Sequence, residues 1–240
     1  MYKDMSKRKE IRGSLELDGL HLKELRDFLG EVDNCYGNID LQENQLTSLK
    51  NLPKNISGYL DVSKNKITSF EGGPKYVSGR LECSTNRISS LNGMPLVSGH
   101  GSILVSANNL TSLNGLKLPK VVDVDSFRIN ASFNKITTLQ GSNLSSIESM
   151  YSFQLQGNPL KSIEGCPPMI GSLNLNFTDL ESLKGGPKIV GYLYLMGVPN
   201  FKTLDGFPLR ADVLYVDRNF AFNDDDIKDY CRVKDIRRTI

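Results

Sequence analysis

Few residues of this chain could carry covalent or acid–base chemistry. His21 and His100 lie in distant stretches, and neither is set with a serine, cysteine or carboxylate in a nucleophile–base constellation. Cys35, Cys83, Cys166 and Cys231 are scattered, with no C-x-x-C pair. They read as reduced, small core residues, and neither a zinc site nor a disulfide framework is expected. Asp224-Asp225-Asp226 could draw a cation, but Asn223 ahead of them gives another reading: a capped helix start with acids in its first turn. Gly72-Gly73 and Gly185-Gly186 are not followed by Gly-Lys-Ser/Thr, so they serve turns and not phosphate. No enzyme and no cofactor is expected. What remains is recognition chemistry, and its residues are set by a repeat.

The pattern L-x-L-x-x-N-x-L-x-x-L recurs. Leu60 to Phe70 is the clearest copy, with Ile39 to Leu49 before it and Leu81 onward after it. The asparagine position falls on Asn44, Asn65, Asn86, Asn108, Asn134 and Asn158, then on Thr178, Val198 and Asn219. Spacing between copies runs from 20 to 26 residues, with insertions over Leu116 to Asp125 and Gly141 to Met150 where loops should bulge. A degenerate first copy, with Leu20 at the asparagine position, brings the expected total to ten repeats. Such self-similarity implies a solenoid, here a single domain over residues 1–240: a basic tail (1–12), the repeats (13–222) and a C-terminal cap (223–240).

Each letter has a physical cause. L-x-L is a period-2 strand with its apolar residues inward, and stacked copies make a parallel sheet. The asparagine side chain can bond backbone groups where the strand bends away. Thr178 keeps a hydroxyl for this, whereas Val198 cannot, and Gly197 points to a reshaped turn there. Between strands the chain reads L-x-G-x-P, which disfavours a helix and predicts an extended or 3₁₀ back. Short helices are expected over Leu22 to Leu29 and from Asn223, the latter using Ile227, Tyr230, Cys231 and Val233-Lys234 as its apolar side and its end. The fold class is therefore α/β, a solenoid with a parallel sheet on its concave face and short capping helices at both ends.

This repeat fixes which residues face outward from the sheet. The row between the strand leucines reads Glu16, Asp40, Asp61, Glu82, Leu104, Asn130, Gln154, Asn174, Tyr194 and Tyr215. Carboxylates on adjacent strands repel. No structural role requires them, so they read either as a face for a basic partner or as a solvated face partly neutralised by Lys64, Lys66, Arg80 and Arg87. Farther along, Tyr192, Tyr194, Met196 and Tyr215, with Phe177 nearby, are the residue types enriched at interface centres. The candidate protein-binding residues are these tyrosines and Met196, Asp40, Asp61 and Glu82, and the amides Asn130, Gln154 and Asn174.

On these motifs the chain resembles leucine-rich repeat proteins of the short-period type. The L-x-G-x-P wording is similar to that of effector proteins of enteric bacteria and of proteins encoded by large bacteriophages. The resemblance implies a non-enzymatic, protein-binding horseshoe, one that occupies and inhibits a host protein. A virion or scaffold component that self-associates is the alternative. With a net charge of +2, the chain has no field that pulls toward nucleic acid or anionic lipid. The basic residues Lys3, Lys7, Arg8, Lys9 and Arg12, and Arg232, Lys234, Arg237 and Arg238, read as solvated tails. No secretion signal or membrane span is expected, so a monomer in the cytoplasm is the expectation.

Overall fold

The computed structural model describes residues 10–25, 32–98, 100–120 and 122–239. The chain divides into two compact units, Met1–Leu110 with Gly115–Lys120 and Thr111–Asn114 with Val121–Ile240. The basic segment 1–9 and residues 26–29 of the helix expected at Leu22 to Leu29 lie outside the described residues, and Leu22 to Leu25 are not helical. No helix among the described residues is long and apolar enough to cross a membrane.

In the first unit each turn gives one short strand to each of two parallel sheets. Glu10–Ile11 (β1), Asn34–Cys35 (β3), Asn55–Ile56 (β5), Tyr76–Val77 (β7) and Leu96–Val97 (β9) form one sheet. Leu15–Glu16 (β2), Ile39–Asp40 (β4), Leu60–Asp61 (β6), Leu81–Glu82 (β8) and Ser102–Leu104 (β10) pair in the other. The sheet of β1 to β9 is a second hydrogen-bonded ladder that the sequence reading did not anticipate, set between each L-x-G-x-P segment and the main strand that follows it. Its residues Cys35, Ile56, Val77 and Val97 point into the core beside Ile39, Leu41, Leu46 and Leu49 and their equivalents, all buried. Full burial of such a side chain contributes about 1.5–3 kcal/mol, and every turn repeats it. A corner with a glycine, at Gly13, Gly37, Gly58 and Gly79, joins the two strands of a turn. Gly58 donates its N–H to the Gly37 carbonyl, and a Cβ on Gly58 would lie 2.7 Å from that oxygen, so the corners stack only as glycines.

In the second unit the two strands of a turn merge. Arg128–Asn130 (β11), Ser149–Gln154 (β12), Met169–Asn174 (β13), Ile189–Leu195 (β14), Arg210–Asp217 (β15) and Arg232–Thr239 (β16) form successive parallel pairs. The cause is visible in the spelling. Val77-Ser78-Gly79-Arg80-Leu81 has one residue more between its inward positions than Val190-Gly191-Tyr192-Leu193. Deleting that residue removes the corner and lets one strand run through. Residues Gly141 to Met150 form no simple bulged loop: they make a 3₁₀ turn, Leu144–Ser146, and then enter β12.

The asparagine row is the hydrogen-bonded ladder that the repeat predicts. Asn65 Nδ2 donates to the Leu41 carbonyl of the preceding turn (2.9 Å) and to Val62 of its own (3.1 Å). Its Oδ1 accepts the Leu46 N–H at 2.9 Å. Asn44, Asn86, Asn108 and Asn158 repeat this set. Thr178 Oγ1 donates to the Leu175 carbonyl instead, at 2.7 Å. At Val198 the turn is held differently, with Gly197 N–H donating to Asp217 Oδ2 of the next turn at 2.7 Å. Asn219 is exposed and outside the row, a correction to its assignment as a ladder residue. The residue before the ladder position adopts positive φ in turn after turn: Glu43, Lys64, Thr85, Ala107, Phe133 and Phe177. Without the ladder, that backbone would be unfavourable for side-chain-bearing residues.

At the C-terminus Asp224–Tyr230 is a helix (α1) with Asn223 as its cap: the Asn223 side chain accepts from Asp225 and Asp226 N–H, and Asp226 returns the bond. The helix ends sooner than the sequence reading has it. Cys231 is extended, and Val233 and Lys234 belong to β16, so Arg232, Lys234, Arg237 and Arg238 lie in an ordered strand and not in a solvated tail. Counting β16, the second unit's main strands extend one turn beyond the ten repeats of the sequence reading.

The ladder gives a direct test. Asn65→Leu removes the donor and acceptor together and leaves buried backbone groups unpaired, so it should lower unfolding free energy by about 1–3 kcal/mol in urea titrations. An unchanged midpoint would refute the ladder's structural role.

Candidate functional site

The outward rows divide into a polar part in the first unit and an aromatic part in the second. The carboxylates of the polar part have a structural task that the sequence reading denied them. Asp40 Oδ1 accepts the Gln42 N–H at 3.0 Å, Asp61 Oδ1 the Ser63 N–H at 3.0 Å, and Glu82 Oε1 the Ser84 N–H at 2.9 Å. Asn130 and Asn174 do the same for Ser132 and Asn176, at 3.1 Å each. These positions need an acceptor for the amide two residues on, where the strand ends. Asp61 is 6% exposed and also takes the Ser63 hydroxyl (2.7 Å) and the Arg80 guanidinium (3.3 Å). Its charge is therefore internally engaged, whereas Asp40 and Glu82 stay half-buried. Gln154 turns sideways and donates to Ser152 Oγ at 2.9 Å.

Tyrosines replace the acceptors at the far end of the row. Tyr194 and Tyr215 sit opposite each other on β14 and β15, with ring centroids 4.5 Å apart and planes within 7°. Here the amide two residues on finds another partner: Met196 N–H donates to Asn176 Oδ1 of the preceding turn at 2.7 Å. The row then ends on a residue that the sequence reading missed, Arg237, which pairs with Tyr215 in register. Its guanidinium lies 5.4 Å from the Tyr215 ring centroid and donates to the Tyr215 hydroxyl at 2.9 Å, while Asp235 holds its Nε at 2.7 Å. A cation over the ring face of a stacked pair strengthens the arrangement. Burial above all, then Tyr215 and Tyr192, pushes the Tyr194 phenol above its ordinary value, so it stays neutral.

Tyr192 shares β14 with Tyr194 and is 48% exposed. The patch thus spans two tyrosine-bearing strands and the arginine of a third. Met196 is half-buried and accepts from Thr239 Oγ1 through its sulfur at 2.9 Å. Phe177 is not in the core: it is 66% exposed on its turn, its ring lying across Gly197 of the next turn. Phe133 stands over Gly157 in the same way. The signal for Arg237 was present in the sequence: Val233 and Ile236 repeat the three-residue step of Val190 and Leu193, but the surrounding charges masked it.

Among the described residues no group of three or more His, Cys, Asp or Glu side chains could hold a metal ion. All four cysteines are buried, free thiols. Burial pushes Cys166 up to about 12, Cys231 to about 11 and Cys83 well above its ordinary value.

Inward leucines, the asparagine ladder and consecutive parallel strands at a period of 20 to 26 residues define a leucine-rich repeat solenoid. No family model and no curated protein matches the chain. Among solved structures it is similar to YopM from Yersinia enterocolitica WA-314, with 20% identity and a TM-score of 0.46 over 90% of this chain and 55% of that one.

Two outcomes follow from these contacts. Asp61→Ala should destabilise by about 0.5–1.5 kcal/mol, whereas Asp61→Asn, which keeps the acceptor and loses the charge, should melt close to wild type. Equal loss in both variants would mean that the Arg80 pair and not the Ser63 amide sets the residue type. At pH 8 the native thiols should resist iodoacetamide and react fully only after denaturation, because a thiol at about 12 carries roughly one part in ten thousand thiolate. Mass spectrometry of native and unfolded samples reads this directly.

Proposed function

We propose that the chain is a non-enzymatic scaffold that binds a protein on the outer face of β14 to β16, with Tyr192, Tyr194 and Tyr215 at the centre of the contact. The observation that carries this reading is the Tyr194–Tyr215 stack closed by Arg237. The core has no need of these rings, since Leu193, Leu195, Leu214 and Val216 already fill the inward positions. Tyrosine supplies large area at low entropic cost, and both tyrosine and arginine are enriched at binding hot spots. Asn174, Gln154 and Asn130 continue the face as hydrogen-bonding rim. Asp40 and Glu82, more than the engaged Asp61, tune on-rate and salt sensitivity. The wording of the repeats, close to that of bacterial effectors and bacteriophage proteins, supports a host protein as the partner, bound and inhibited by one-to-one occupancy.

The partner is first captured from a host lysate and then titrated in pure form by calorimetry. Tyr194→Ala should keep the fold and weaken binding by about 2 kcal/mol or more. Unchanged affinity in both Tyr194→Ala and Tyr215→Ala would move the contact off this face.

A further inference from the structure

We propose that the free edge of β16 accepts an extended acidic peptide segment as one more parallel strand. This site is the edge of the sheet; it shares Arg237 with the proposed contact on the sheet's outer face and is otherwise separate from it. Three observations carry it. Among the described residues β16 is the terminal strand: β15 pairs with it on one side, and nothing pairs on the other. Alternate N–H and C=O groups of an edge strand point outward and can template another strand.

The core is also left partly uncovered at this strand. The inward residues Val233 and Ile236 are half-buried, although Ala211 and Leu214, their register partners on β15, are fully buried. Val190 and Leu193 on β14 are buried as well. One further strand with apolar residues three positions apart would complete the burial that every earlier turn achieves.

Charge selects the occupant. β16 carries Arg232, Lys234, Arg237 and Arg238 against a single carboxylate, Asp235. Lys234 and Arg238 reach back to Asp212 (2.7 Å) and Asp224 (2.8 Å), and Arg237 pairs with Asp235 (2.7 Å), which steadies the strand; four cations against these three carboxylates still leave the edge net positive. Opposite charges across a ladder stabilise it and like charges weaken it. A second copy pairing through its own β16 would bring cation against cation, and the sheet's other terminal strand, β2, offers only Leu15–Glu16. An acidic segment with a carboxylate opposite Arg237 meets both the charge and the end of the tyrosine row.

The probe is a fluorescein-labelled peptide, Glu-Ile-Glu-Thr-Val-Glu-Glu-Thr, whose Ile and Val face Val233 and Ile236 and whose first carboxylate after Val faces Arg237. Anisotropy titration against the full chain should show saturable binding below on the order of 1 mM. N-methylating the peptide amides that face β16 should weaken it by about tenfold or more, because the ladder bonds are lost and the charge is not. Lysine in place of the carboxylate that faces Arg237 should also weaken it, and Arg237→Glu should restore the binding of that lysine peptide. Absence of binding by the parent peptide overturns the proposal. So does equal binding of the N-methylated peptide, which would leave charge attraction alone. Concentration-dependent dimerisation of the free chain that Arg237→Glu strengthens would overturn it in favour of a second copy as the occupant. Loss of the outer-face contact in Tyr194→Ala, with peptide affinity unchanged, separates this site from the one proposed above.

Discussion

The constraint that governs this molecule is the hydrogen bonding of backbone at the ends of its strands. A solenoid turn must leave its sheet within a few residues, and the amides and carbonyls it leaves behind are buried among leucines. Asparagine meets the need because one side chain donates and accepts at once. Asn65 reaches Leu41 O and Leu46 N in the turn before while holding Val62 O in its own. A partner missing from such a site costs on the order of 1–3 kcal/mol, comparable to burying a leucine. Stacking is therefore specified twice, by apolar volume inside and by the ladder at the bend. The ladder also tolerates the positive φ at Glu43, Lys64 and Thr85, which no local preference of those residues would favour.

The same accounting explains the change of chemistry along the outward rows. Where Asp40, Asp61, Glu82, Asn130 and Asn174 stand, the position is committed to an amide two residues on. Where Asn176 of the preceding turn takes the Met196 amide, position 194 is released from that duty and can be tyrosine. A reassigned hydrogen bond in one row thus opens a neighbouring row to aromatic residues. The polar and aromatic ends of the sheet face are two solutions to one bonding problem.

Most of the fold was legible because inward positions and ladder positions carry their own letters. Thr178 as a hydroxyl substitute and Gly197 as the mark of a reshaped turn were both readable. Three features were not. The sheet of β1 to β9 in the first unit is built around Cys35, Ile56, Val77 and Val97, each a single inward residue in a two-residue strand that gives no alternating run. The acceptor role of Asp61 depends on where a strand ends, which composition does not reveal. The strand β16 is spelled mostly in charges, and its pairing comes from β15 beside it and not from its own propensity. The tyrosines were legible as a cluster, but the arginine that closes their row was not.

The ladder bonds of Asn44, Asn65, Asn86, Asn108 and Asn158 run to their own turn and the one before it. That locality has a consequence at the level of the gene. A segment encoding one turn can be duplicated or lost by unequal recombination between neighbouring copies, without shifting the reading frame, and every bond at the new joint finds an equivalent partner. Lineages can therefore vary the number of turns while keeping the bonds of each turn intact. The number of turns becomes a heritable trait that changes in whole steps.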